Sequence, residues 1–94
     1  MSAPLRIVLV GTGRAARHLG AAIAKGPHTL MAVAGRDAER TRALAGELNT
    51  SPADLRSLPP EADIVLIAVS DAAIGEVAKG IGPRNGVVAH TSGA

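Results

Sequence analysis

The sequence predicts an α/β fold: an open, doubly wound parallel sheet of strand order 3-2-1-4-5 with helices on both faces. Three observations carry that prediction. Short β-branched runs alternate with longer Ala-rich stretches of helical periodicity along the whole chain. A glycine-rich segment, Gly11-Thr12-Gly13-Arg14-Ala15-Ala16, lies where the first strand candidate passes into the first helix candidate. Finally, 94 residues and 9.4 kDa are one domain's worth of chain, so residues 1–94 are read as a single unit.

Each element has its own local reason. Residues 5–10 (LRIVLV), bounded by Pro4 and Gly11, are short and β-rich enough for a strand buried on both faces. Over 13–25, Ala16, Leu19, Ala22 and Ile23 recur at helical spacing, and Gly26-Pro27 stops the helix. Residues 29–34 (TLMAVA) form a second strand. Asp37 then caps a helix to about Leu48 that turns Ala38, Leu44, Ala45 and Leu48 inward. Residues 49–60, rich in Ser, Pro and Asn, leave room for a short edge strand near Thr50 and one helical turn around Leu55. The clearest strand is 63–69 (DIVLIAV). Ser70-Asp71 caps a following helix to about Lys79, ended by Gly80, Gly82 and Pro83, and 86–90 make the last strand. There is no internal repeat or low-complexity tract.

Composition removes several functions. Hydrophobic residues are 47% of the chain, yet Phe, Trp and Tyr are absent, so the core must be built from Val, Ile, Leu and Ala. Without aromatic rings there is no stacking platform for single-stranded nucleic acid. The pI of 9.9 hides a formal charge of only +2, too little for an electrostatic DNA binder. Zero cysteines exclude disulfides, thiolate metal sites and a cysteine nucleophile, and fit a reducing compartment. His18, His28 and His90 lack metal-ligand spacing, so no metal is expected. The N-terminus lacks a secretory signal's pattern, and no apolar run approaches the ~18 residues of a membrane span. A soluble, cytoplasmic protein is expected, with neither nucleic acid nor membrane as partner.

The G-x-G-x-x-A segment carries the chemistry. Gly11 permits a tight turn off the strand, Gly13 lets backbone approach a pyrophosphate without a Cβ in the way, and Ala16 lets the helix pack closely on the sheet. Phosphates would then meet the amides and positive dipole end of that helix. At the end of the second strand, where an NAD-binding domain carries an acidic residue for the ribose hydroxyls, the sequence has Gly35 followed by Arg36. A guanidinium there makes forked, charge-assisted bonds with a 2′-phosphate, which favours NADP(H), with NAD(H) as the alternative. Asp37 keeps that alternative open, since a one-residue shift of the strand end would offer its carboxylate to a ribose. Arg40 is a secondary candidate for the same phosphate.

The combination of VGTGRAARHLG, VAGRDAERTRALA, ADIVLIAVSDAAIGEVA and VVAHTSGA resembles a Rossmann-like group of NADP-dependent oxidoreductases. The group is related to pyrroline-carboxylate reductase, the deazaflavin-dependent NADP reductases and 6-phosphogluconate dehydrogenase. The resemblance spans essentially the whole chain, and His-Thr-Ser-Gly is its most group-specific element. It implies that Val69, Ser70 and Asp71, at the end of the fourth strand, pass near the nicotinamide ribose, where relatives often carry Pro in place of Ser70. Ser70 and Asp71 also serve as ordinary helix caps. It further implies that the stretch holding His90 and Ser92 lies near substrate; an imidazole there would be able to donate a proton to a carbonyl or imine, with Ser92 orienting it. A purely structural His90 is the other reading, and His18 and His28 are assigned no chemistry.

The expected function is the NADP(H)-binding domain of an oxidoreductase that transfers hydride to or from a small carbonyl, imine or hydroxy acid. The alternative is a non-catalytic nucleotide-binding or regulatory module, because fold alone does not fix chemistry. The resemblance also implies a C-terminal helical domain that completes the substrate pocket and mediates homodimerisation. Nothing in 1–94 corresponds to it, and a marginal, association-prone domain is the expectation for this chain alone.

Overall fold

A computed structural model describes residues 4–69, Gly75, Val77, 79–81 and 87–90. The elements run β1 (Arg6–Val10), α1 (Arg14–Lys25), β2 (Thr29–Gly35), α2 (Ala38–Glu47), β3 (Ser51–Asp54), β4 (Ile64–Ile67) and β5 (Val87–His90). All strand pairs are parallel, and the order is β3-β2-β1-β4-β5, as the alternation of elements predicts. Between β4 and β5, Gly75, Val77, Lys79, Gly80 and Ile81 are helical.

Because successive strand side chains point to opposite faces, a parallel sheet covered by helices on both sides must be apolar on both. The core divides accordingly. Val8, Val10, Ala32, Ala34, Val65, Ile67 and the helical Val77 make one buried cluster, with Ile81 packed against it. Leu9, Val33 and Ala68 make the other with Ala16 of α1 and Leu44 and Ala45 of α2. Adjacent residues of β1, Val8, Leu9 and Val10, thus serve alternate layers.

Small residues let the helices lie close. Ala16 and Gly20 are the buried residues of α1, and a Cβ on Gly20 would run into Leu48 Cδ1 and lie 3.1 Å from Leu9 Cδ2. Ala22, one of the apolar positions at helical spacing, is exposed, and the buried face runs through Ala16 and Gly20. In α2 the buried stripe is Thr41, Leu44 and Ala45, whereas Ala38, the first helical residue after the Asp37 cap, is exposed. The expected helical turn at Leu55 is a plain turn: the Asp54 carboxylate accepts the Arg56 amide at 2.8 Å, and the Ser57 amide reaches the Asp54 carbonyl at 3.0 Å. Gly80 does not stop the helix, which continues to Ile81.

The amino ends of the strands are tied by side chains. The Asp63 carboxylate accepts the Arg6 amide at 2.8 Å and Arg6 Nε at 3.5 Å, while the Asp63 amide returns a bond to the Arg6 carbonyl. His28 Nδ1 accepts the Leu5 amide at 3.0 Å. These ties hold one end of the sheet and leave the carboxyl ends to shape a cleft. Among the described residues no helix is long and apolar enough to cross a membrane.

Candidate functional site

In an open α/β sheet a cleft forms at the carboxyl ends of the strands where successive connections leave to opposite sides. Here that point lies between β1 and β4, and Gly11 stands on it. Its amide donates to the Ala34 carbonyl of β2 at 2.8 Å, while the Ala68 amide donates to the Val10 carbonyl at 2.8 Å. Its φ of 130° lies in the region that side chains disfavour. A Cβ there would also strike the Ala68 carbonyl oxygen and stand 3.3 Å from Val69 Cγ1. Gly11 is therefore glycine for both conformation and space.

Gly13 is a different case. It is the N-cap of α1 with extended backbone, φ −84° and ψ −166°, and a Cβ there would meet nothing within 4 Å. No side chain caps the helix and no acidic residue sits in its first turn. The first-turn amides, which have no acceptor within a helix, are thus presented at its positive end without a competing carboxylate. Gly13 also lines the cleft, so this uncapped helix end faces open space that fits an anionic group.

The cleft above it has a volume of about 660 Å³, within the range of small-molecule and cofactor sites. Gly11, Thr12, Gly13, Arg14 and Ala15 form its floor and one wall. Gly35, Arg36, Asp37 and Arg40, at and just after the end of β2, line it too, as does Val69. Ala16 does not line it; fully buried, it sets the helix against the sheet. Ser70, Asp71 and Ser92 lie outside the described residues. His90 is the last residue of β5, in register with Ile67 at the carboxyl end of the sheet.

Asp37 caps α2, as the sequence predicts. Its carboxylate accepts the Arg40 amide at 3.1 Å, the N-cap of α2, which commits one oxygen to the helix. Arg36 and Arg40, both exposed, bracket it on the cleft wall. His18, assigned no chemistry from the sequence, lines the cleft as well. It follows Arg14 by one helical turn, and that i, i+4 spacing was the available signal. Leu55 and Val77 also line the cleft and come from distant segments, with no local signal to find them. At the far end of the sheet, the Arg6 amide and guanidinium hold the Asp63 carboxyl below its ordinary value of 3.8.

A glycine turn at the switch point, an uncapped helix end and arginines beyond β2 define a pyridine-nucleotide-binding Rossmann domain of the oxidoreductase type. The family profile described as NADP oxidoreductase, coenzyme F420-dependent, matches residues 6–90, and the chain belongs to that family. Among solved structures, a protein assigned as an NADP oxidoreductase from Bacteroides fragilis is 30% identical with a TM-score of 0.81, over 96% of this chain and 36% of that one. Pyrroline-5-carboxylate reductase from Streptococcus pyogenes superposes with a TM-score of 0.72 at 22% identity, over 94% of this chain and 34% of that one. A variant imine reductase from Myxococcus stipitatus, solved with NAD+, gives a TM-score of 0.70 at 21% identity, over 96% and 32%. At those two lower identities the likeness is one of fold. The chain thus spans about a third of the length of these proteins. Comparison with proteins of curated function gave no match.

Proposed function

We propose that the chain is the NADP(H)-binding domain of an oxidoreductase that moves hydride between nicotinamide and a small carbonyl, imine or hydroxy acid. The observation that carries this reading is the convergence of the open Gly13 cradle with Arg36 and Arg40 in one cleft. In it, the amides after Gly13 hold the pyrophosphate, with Thr12, Arg14 and Ala15 around it. Arg36 and Arg40 take the 2′-phosphate, Gly35 leaves room beside them, and Val69, Ser70 and Asp71 border the nicotinamide ribose. When bound, the nicotinamide supplies the hydride. His90, at the carboxyl end of β5, donates the proton to the reduced oxygen or nitrogen, and Ser92 orients it. Substrate selection and dimerisation belong to a helical domain beyond this chain's span.

The test is a calorimetric titration of the chain with NADPH and with NADH, repeated on Arg36→Ala. NADPH should bind at least tenfold more tightly, and Arg36→Ala should remove about 1.4 kcal/mol or more of that difference. A folded chain that binds neither nucleotide sinks the reading and favours a non-catalytic module.

A further inference from the structure

Gly35 ends β2 and lines the cleft, yet its backbone is not in the region that requires glycine, so space and not conformation accounts for it. A Cβ at position 35 would lie 2.8 Å from Thr41 Oγ1 and 3.1 Å from Thr12 Cγ2. The first distance is one that real Cβ atoms essentially never show, so something must shift, and the second requires Thr12 to give by a few tenths of an ångström. Thr41 cannot easily yield. It is only 3% exposed, and its hydroxyl donates to the Asp37 carbonyl at 2.7 Å while its amide donates to the same oxygen at 3.0 Å. Rotating a β-branched side chain in a helix merely exchanges the hydroxyl for a methyl or gives up the bond. Thr12 approaches from the other side, as the middle residue of the glycine turn.

We infer that Thr12 and Thr41 are specificity-determining residues: together they fill the space into which the side chain of residue 35 would project. The position at which a carboxylate would read the adenosine ribose is thereby closed to any side chain. Recognition of that end of the cofactor passes to Arg36 and Arg40, one and five residues further on. The inference deepens the NADP(H) reading and rests on it. It also separates two features that a sequence shows as one: the absence of an acidic residue, and closure of the site that would hold it. The threonines are positioning residues, since they act through the backbone and side-chain space of residue 35.

The experiment compares wild type, Gly35→Ala, Gly35→Asp, Thr41→Ala and the two double variants carrying Thr41→Ala, by thermal unfolding and by titration with NADPH and NADH. Gly35→Ala and Gly35→Asp each lower the melting temperature, and in the Thr41→Ala background the same changes cost less than half as much. Gly35→Asp/Thr41→Ala binds NADH at least tenfold more tightly than Gly35→Asp does, and binds NADPH at least tenfold more weakly than wild type. Two results overturn the inference: Gly35→Asp alone melting like wild type and taking NADH as well as the double variant does, or Thr41→Ala giving no relief to either substitution at Gly35. The Gly35→Ala/Thr41→Ala cycle reads the packing without any nucleotide. A wild type that treats NADPH and NADH alike would therefore sink the NADP(H) reading separately.

Discussion

Gly11 and Gly13 are two residues apart in one motif, and the structure gives them opposite surroundings, so alanine at each should fail differently. At Gly11 the backbone at φ 130° costs an alanine ~1–3 kcal/mol. The forced contact with the Ala68 carbonyl, between strand ends pinned by two 2.8 Å bonds, adds overpacking of ~1–3 kcal/mol. The sum, about 4 kcal/mol, is a large share of the roughly 5–14 kcal/mol expected for 94 residues. At about 4–8 °C per kcal/mol the melting temperature of Gly11→Ala should fall by roughly 15–30 °C. At Gly13 the backbone suits alanine and nothing stands within 4 Å, so the change in stability should stay within about 0.5 kcal/mol. NADPH affinity should nonetheless fall at least tenfold, because the methyl enters the phosphate cradle. Far-ultraviolet circular dichroism reads the melting and calorimetry the binding, since the chain has no Trp or Tyr to report either. Gly13→Ala binding NADPH like wild type would refute the cradle, and Gly11→Ala melting like wild type would refute the packing.

Other substitutions probe the frame. Leu44→Ala removes a side chain 2% exposed between α2 and the sheet and should cost about 2–5 kcal/mol by denaturant unfolding. Thr50→Val deletes the hydroxyl that donates to the Leu30 carbonyl at 2.9 Å, and should cost about 1 kcal/mol in the same assay. Glu47→Gln breaks an ion pair with Arg17 whose side chains are 62% and 52% exposed, and should leave the melting temperature nearly unmoved even at low salt. Asp63 sets a pH dependence: its carboxyl is held below 3.8 in the fold, so its stabilising effect is complete above that value and is lost as pH falls through the lowered one. Melting temperature measured against pH should therefore fall more steeply below pH 3.8 in wild type than in Asp63→Asn; parallel curves would refute the Arg6 tie.

The sheet was legible because its central strands are short apolar runs that must be buried on both faces, and nothing but a parallel α/β layer satisfies three such runs separated by helices. What misled was local chemistry seen without neighbours. Ala38 looks like the first inward residue of α2, but it is exposed in the first turn after the Asp37 cap and the stripe begins at Thr41. β3 contains Pro52 and Asp54 and has no apolar pattern; it is a strand because β2 offers an edge, where proline is tolerated. Of the cleft, the glycine turn and Arg36 are visible as a motif. The contact of Gly35 with Thr12 and Thr41 is not, since it joins a loop, a strand end and a helix that only the fold brings together.

Net charge misleads in the same way. Ten basic against eight acidic residues average to +2, which argues correctly against a general polyanion binder. Yet Arg14, Arg36 and Arg40 share one cleft, and the one acid on its wall among the described residues, Asp37, is engaged by the Arg40 amide. Among the described residues the cleft lining is therefore more basic than the chain average. Arginines this exposed are screened by salt, whereas the backbone cradle after Gly13 acts at contact and is screened less. NADPH, with its additional phosphate at Arg36 and Arg40, should thus lose affinity more steeply than NADH as ionic strength rises from 0.05 to about 0.5 M, and Arg36→Ala should bring the two slopes together. Equal slopes in the wild type would mean that the arginines do not read the 2′-phosphate, whatever their place on the wall.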